Sequence, residues 1–300
     1  MPFFSIIIPT YNRVRVLSRS IDSVLSQTYK DFELIIVDNG STDNTQKWLS
    51  DNYQDSRIFY HYQAGSGSPA NPRNIGISLS KGEWVCFLDS DDKWNQEKLQ
   101  SVYEEIQLDT DLSVVCHNES IYSEASNSVG EMLKYGPNSH DMYKKMLVFG
   151  NRLSTSATSV RTKFLRDNNL QFNELEKYAT VEDYDLWLNL ARRKAKFKFI
   201  PRSLGFYTLG YENMIFSSGV YCTNLEALLK QHVYSIQKFE KNKKNLWGVI
   251  QIRISICQIK HGEFTSFLKM FYMIMVFLQH PFYFLVFLNG YIKKSFNYFE

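Results

Sequence analysis

Two runs rich in apolar and β-branched residues, Phe3 to Ile8 broken only by Ser5 and Phe32 to Val37 broken only by Glu33, flank a segment of helical periodicity, and this feature restricts the chain more than any other. Strands of a parallel sheet are covered by helices on both faces, so they read as continuous apolar runs rather than alternating ones. Between them Leu17, Ile21, Val24 and Leu25 recur at helical spacing up to Gln27, which places a whole βαβ unit in the first forty residues. The alternation continues. Thr45 to Tyr53 predicts a helix, Arg57 to Tyr62 a strand, Asn71 to Ser80 a helix closed by Lys81 and Gly82, and Glu83 to Leu88 a strand. Asn95 to Leu108 predicts a further helix and Leu112 to Cys116 a fifth strand. Such a chain requires an α/β fold with an open, mostly parallel sheet flanked by helices, whose ligands gather at the carboxyl ends of the strands.

Beyond residue 118 the pattern loosens. Glu119 to Asn138 reads as a surface excursion, Asp141 to Phe149 as a short helix, Val181 to Arg193 as a well-patterned helix and Lys196 to Ile200 as a last strand. From Tyr221 the pattern is helical, over Asn224 to Lys238 and Leu246 to Lys260. The expected organisation is one α/β domain over 1–220 and a helical appendage over 221–300. Charge separates the same two parts. Residues 1–229 hold 24 Lys and Arg against 28 Asp and Glu, whereas residues 230–300 hold 10 against 3. The appendage also contains the apolar runs Met270 to Leu278 and Phe282 to Leu288, each too short for the about 20 residues of a spanning helix. Basic residues beside aromatic-rich apolar runs point to peripheral contact with an anionic membrane; burial of the runs as core helices is the alternative. Cys86, Cys116, Cys222 and Cys257 are widely spaced, which indicates reduced thiols rather than a zinc cluster or disulfide framework. Met1 leads straight into Phe4 to Ile8 without a basic n-region, so no export signal is expected. Nucleic-acid binding is disfavoured, because the larger part is acidic and the basic part is apolar.

The polar residues after each strand are the ones that matter. Thr10-Tyr11-Asn12-Arg13 follows the first, Asp38 to Asp43 the second and Asp89-Ser90-Asp91-Asp92 the fourth. Asp-x-Asp at a strand end brings two carboxylates within reach of one divalent cation, and hard oxygen ligands select Mg2+ or Mn2+ over zinc. Such an ion completes its shell with substrate phosphates and water, which suits a nucleotide diphosphate. In isolation the same tetrapeptide is more often a helix N-terminal cap, here before Lys93-Trp94.

Together SIIIPTYNR (Ser5 to Arg13), VDNGSTDNT (Val37 to Thr45), PRNIGI (Pro72 to Ile77), FLDSDD (Phe87 to Asp92) and VEDYDLWL (Val181 to Leu188) resemble glycosyltransferase family 2, over roughly residues 3–210. The resemblance implies the GT-A (Rossmann-like) fold and a metal-dependent, inverting hexosyltransferase that moves a sugar from a nucleotide donor, most often UDP-linked, to an acceptor hydroxyl. It implies contact of Thr10, Tyr11 and Arg13 with base and ribose, Asp38 at the uracil edge, and Arg73 and Asn74 near base and donor phosphates. Asp91 is implied as the metal ligand and Asp89 as a ribose or water-mediated contact that shares the metal motif. Asp183 is implied as the catalytic base, with Glu182 orienting the acceptor. Asp92 is expected to cap the following helix, and Trp187 to face the core. Thr208 and Gly210 stand where the family carries arginine and histidine, so metal binding is left to Asp91, phosphate, water and Glu212 or Asn213. His61, His117, His140, His232, His261 and His280 show no ligand spacing and receive no role. Resemblance and appendage together imply glycan or lipid-linked glycan acceptors in bacterial surface polysaccharide assembly, at the inner, cytoplasmic face of the membrane. A nucleotidyltransferase also needs Asp-x-Asp, but should carry a Gly-rich phosphate loop, which Pro9 to Arg13 is not and for which Gly65-Ser66-Gly67 is too isolated. A degenerate, binding-only transferase should have lost Asp91 or Asp183, and both are present.

Overall fold

Each apolar run of the N-terminal half becomes a strand. The computed structural model describes residues 1–209, 218–236 and 250–255, with the single positions 257, 271, 274, 275, 278 and 285. Strand β1 (Phe4–Thr10) is followed by α1 (Val14–Leu25), β2 (Phe32–Asp38), α2 (Thr45–Asn52), β3 (Ile58–Tyr62) and α3 (Ala70–Leu79). Then come β4 (Trp84–Phe87), a short β5 (Lys93–Trp94), α4 (Lys98–Leu108), β6 (Val114–Ser123) and β7 (Ser128–Leu133). The chain continues through α5 (Met142–Phe149), β8 (Thr158–Arg161), α6 (Thr162–Asp167), α7 (Glu182–Arg192), β9 (Phe197–Leu209) and α8 (Ser218–Lys230). A single sheet of nine described strands has the order β3-β2-β1-β4-β8-β6-β9-β5, with β7 paired to β6.

Strands β3, β2, β1 and β4 are mutually parallel, as the apolar runs require, and β1 and β2 are buried along their whole length. Helix α3 approaches β1 so closely that a methyl group at Gly76 would lie 2.4 Å from the Ile7 side chain, which is why a glycine sits inside a helix despite its cost. The other side of the sheet is mixed, since β8 runs antiparallel to both β4 and β6.

Two elements differ from the expectation. The stretch from Glu119 is not an excursion, because β6 continues to Ser123 and turns into β7, making a hairpin. Strand β7 is exposed along almost all of its length, so no alternation of apolar and polar residues announces it. The last strand is longer than Lys196 to Ile200 and runs on to Leu209. Its pairing with β6 steps from His117↔Ile200 to Asn118↔Ser203, so Pro201, which has no N–H to donate, sits in a bulge rather than ending the strand.

The chain forms two units. Residues 1–140, 152–174 and 189–213 make unit 1, which holds the sheet, and residues 141–151, 175–188 and 214–300 make unit 2.

Candidate active site

In unit 1 the carboxyl ends of β1, β2 and β4 lie at one edge, because these strands are parallel and in register, Thr10 standing beside Asp38. The turns that follow are stitched together. Asn12, with φ +50°, accepts a hydrogen bond at Oδ1 from the Thr42 N–H (2.7 Å), and its own N–H donates to the Ser41 hydroxyl (2.8 Å). The buried Asp38 accepts from the Ser41 N–H through Oδ1 and from the Tyr60 hydroxyl through Oδ2, both at 2.8 Å. Burial first, then that hydrogen bond, pushes the Tyr60 phenol upward, so it stays a donor. The Asp38 carboxylate is thereby fixed in orientation, a support that the sequence motif does not show.

Asn39 fastens the Gly/Ser-rich segment after β3. Its Oδ1 accepts from Gln63 Nε2, the Ser66 N–H and the Ser66 hydroxyl at 2.8, 3.0 and 2.9 Å. Two glycines meet there: Gly40 has φ +89°, and a Cβ on it would stand 2.6 Å from the Gly65 nitrogen. No side chain fits between these backbones. Thr10 is buried and Tyr11 is exposed.

Arg73, buried in α3, donates from Nη2 to Asp89 Oδ1 at 2.7 Å, and its guanidinium lies 5.3 Å from the Phe172 ring centroid. Asn74 is engaged elsewhere. Its amide donates to the Phe172 carbonyl and Glu174 Oε1 and accepts from the Phe172 N–H, at 2.9, 2.7 and 2.8 Å. Asp91 has its carboxyl 3.9 Å from Arg13, and Arg19 hydrogen-bonds the Asp91 carbonyl while pairing with Glu124 at 2.6 Å. Burial and then the charge of Asp89 raise the Asp91 carboxyl above the ordinary carboxylate range, against a smaller lowering by Arg13.

Asp92 does not cap a helix, since α4 begins only at Lys98. It is buried instead, accepting from the Ser156 hydroxyl at 2.6 Å and from the Thr208 N–H at 2.8 Å. Ser156 also accepts from the Asp89 N–H (3.1 Å), and its carbonyl takes the Trp94 indole N–H (2.7 Å). Ser156 is therefore a brace for the Asp89 to Asp92 turn. Below it lies Glu119, fully buried, which takes the Tyr135 hydroxyl at 2.8 Å. Burial pushes Glu119 up to about 7, and burial followed by the charge of Glu119 raises Asp92 as well. Nearby, burial lowers His117 to about 3, so it stays neutral, and lowers Lys98, whose ammonium lies 3.7 Å from the Trp94 ring centroid. Four acids, Asp89, Asp91, Asp92 and Glu119, thus share one neighbourhood, two of them deep in the protein.

In unit 2 Glu182 and Asp183 open α7, and Asp183 Oδ2 accepts from Asn151 Nδ2 at 3.2 Å. Trp187 is fully buried, as expected. His232, given no role by spacing, is fully buried between Asp185 and Tyr143. Gly210, Tyr211, Glu212 and Asn213 lie outside the described residues.

Residues 5–165 match the sequence profile of Glycosyl transferase family 2. The chain is 31% identical over 216 residues to the amylovoran biosynthesis glycosyltransferase AmsB of Erwinia amylovora, covering 68% of this chain and 69% of that one. It is 31% identical over 197 residues to the UDP-Glc:alpha-D-GlcNAc-diphosphoundecaprenol beta-1,3-glucosyltransferase WfaP of Escherichia coli, covering 65% of this chain and 73% of WfaP. The chain spans only 30% to 48% of the length of other curated glycosyltransferases it matches. The crystal structure of Staphylococcus aureus TarS 1-349 superposes with a TM-score of 0.64 at 22% identity, over 84% of this chain and 71% of that one, which shows a common GT-A fold. A profile match that takes in three of the turns at the sheet edge, with relatives matched over two thirds of their length, places the chain in glycosyltransferase family 2.

Proposed function

We propose that the chain transfers a hexose from a UDP-linked donor to an acceptor hydroxyl of a bacterial surface glycan or lipid-linked glycan, with inversion at the anomeric carbon. The observation that carries this reading is the edge of unit 1, where an oriented Asp38, the Arg73–Asp89 pair and Asp91 sit on adjoining strand ends. Asp38 suits the imide edge of uracil, and Arg13 and Arg73 supply charge for a diphosphate. The residues fit a divalent cation of the Mn2+ or Mg2+ kind held by Asp91 with help from Asp89. Their oxygens are hard donors, and Asp91, raised first by burial and then by the charge of Asp89, would gain from a cation beside it. Such an ion takes only one or two carboxylates and completes its shell with substrate phosphates and water. When bound, the ion would neutralise charge on the departing diphosphate. In unit 2, Asp183 takes the proton of the attacking hydroxyl, and Glu182 orients that acceptor. WfaP is named for a UDP-Glc donor, and TarS has been crystallised with UDP-GlcNAc, both in line with the donor class.

A screen of nucleotide-sugar hydrolysis, which needs no acceptor, tests this reading. UDP-hexoses should be hydrolysed in the presence of Mn2+ and not in excess EDTA; preference for a donor of another base, or no cleavage of any donor, would remove it.

The same reading includes peripheral contact with anionic membrane at the inner face. Phe271, Ile274, Met275, Leu278 and Leu285, all helical, are 37% to 63% exposed, and the first four recur at the i, i+3, i+4, i+7 spacing of one helix face. The remainder of Met270 to Leu278 and Phe282 to Leu288 lies outside the described residues, and among those described no helix is long and apolar enough to cross a membrane. An apolar face in a segment with 10 basic against 3 acidic residues suits an anionic surface. The full chain should float with phosphatidylglycerol vesicles at low salt and be released by Leu278→Glu; recovery of the chain in the unbound fraction under both conditions would refute the contact.

A further inference from the structure

Unit 2 contains a buried polar chain that the transfer chemistry does not use. His232 lies in a π-helical turn, Gln231–Ile236, directly after α8. Its imidazole is fully buried, with Nε2 2.9 Å from Asp185 Oδ1 on α7 and Nδ1 2.9 Å from the Tyr143 hydroxyl on α5. Both ring nitrogens are engaged, so the ring can neither rotate nor ligate a metal without breaking a contact. Gln231, its neighbour, accepts from the Tyr178 hydroxyl just ahead of α7. Such π-turns are uncommon and concentrate at functional sites.

The two residues before Asp185 are held in the same way. Tyr184 donates to the Met146 carbonyl at 2.6 Å, and Arg253 Nη1 reaches both the Tyr184 hydroxyl and the Leu147 carbonyl at 3.0 Å. Asp183 accepts from Asn151. Three consecutive residues, Asp183, Tyr184 and Asp185, are thus tied to the segment 143–151, one of them through His232.

We propose that His232 is a positioning residue: through Asp185 it fixes the rotation of the first turn of α7 and so aims the Asp183 carboxylate. The inference rests on the reading of Asp183 as the base. A misplacement of about 1 Å in a reacting group costs on the order of 10²-fold, so a group acting at second hand should govern turnover and leave donor binding alone.

His232→Ala should lower kcat about 10- to 100-fold with the donor KM and UDP affinity unchanged. In an Asp183→Asn background the same substitution should cause no further fall, because residues that act as one unit are not additive. Unchanged kcat, a matching rise in donor KM, or full additivity with Asp183→Asn would overturn the proposal. Should His232→Ala not fold, Tyr143→Phe, which deletes only the hydroxyl, carries the same decision: a lower kcat at constant KM supports positioning, and wild-type kcat refutes it. Retained transfer by Asp183→Asn alone would instead sink the base assignment, so the two failures are told apart.

Discussion

Asp183→Asn is expected to lower transfer by about 10²- to 10⁴-fold, the usual worth of general base catalysis, while UDP affinity stays at the wild-type value. The amide keeps the size of the side chain, and its carbonyl can still accept the Asn151 hydrogen bond that the carboxylate receives at 3.2 Å. What it loses is basicity. A hydroxyl attacking in line behind the anomeric carbon then has no group to take its proton as the bond forms. Product formation and calorimetric titration with UDP measure the two quantities separately. A parallel loss of donor affinity would make Asp183 part of the donor pocket, and retained transfer would shift the role to Glu182. The stereochemistry gives an independent check, since one displacement with one base converts an α-linked donor into a β-linked product. Retention of configuration, seen by NMR, would exclude the mechanism.

Asp91→Ala should weaken UDP binding measured with Mn2+ by about 100-fold or more, because even outer-shell partners of a metal are worth about 10- to 100-fold. Residual affinity should no longer respond to EDTA. The pH dependence has a definite sign. Burial and the charge of Asp89 raise the Asp91 carboxyl, so acid protonates it earlier than an exposed aspartate. Only the ionised form binds a cation, and metal-dependent UDP affinity should therefore strengthen with rising pH and level off once Asp91 is ionised. Equal affinity with and without EDTA in the wild type would show that donor binding needs no ion.

The parts legible in the sequence are those fixed by local pattern. Nearly continuous apolar runs such as Phe32 to Val37, alternating with helical segments, read as parallel strands, and parallel strands in register deliver Thr10 and Asp38 to one edge. What escaped is non-local. Nothing near Asp92 shows that its partners are Ser156 and the Thr208 N–H, residues 64 and 116 positions away, so the tetrapeptide looked like a helix cap. Tyr60, which orients Asp38, sits in a strand whose aromatics read as ordinary packing. Glu119 fell within what looked like a polar surface loop, although it is a buried carboxylate. His232 had no ligand spacing because its partners, Asp185 and Tyr143, come from two other helices.

Unit 2 is assembled from three separate stretches of chain, and the last of them contains both His232 and Arg253. This gives synthesis an order. A chain emerging from the ribosome as far as Leu209 already has every described strand, with Asp38, Asp89 and Asp91 on their turns. It has Asn151 and the Met146 carbonyl, which hold Asp183 and Tyr184, but not yet His232 and Arg253, which hold Asp185 and Tyr184. On the proposed reading the donor-side turns are thus complete before all the supports of Asp183 are, and a message truncated in between should leave a product that binds UDP without transferring a sugar. On that reading, translation past His232 and Arg253 is the step that completes the support of the proposed base.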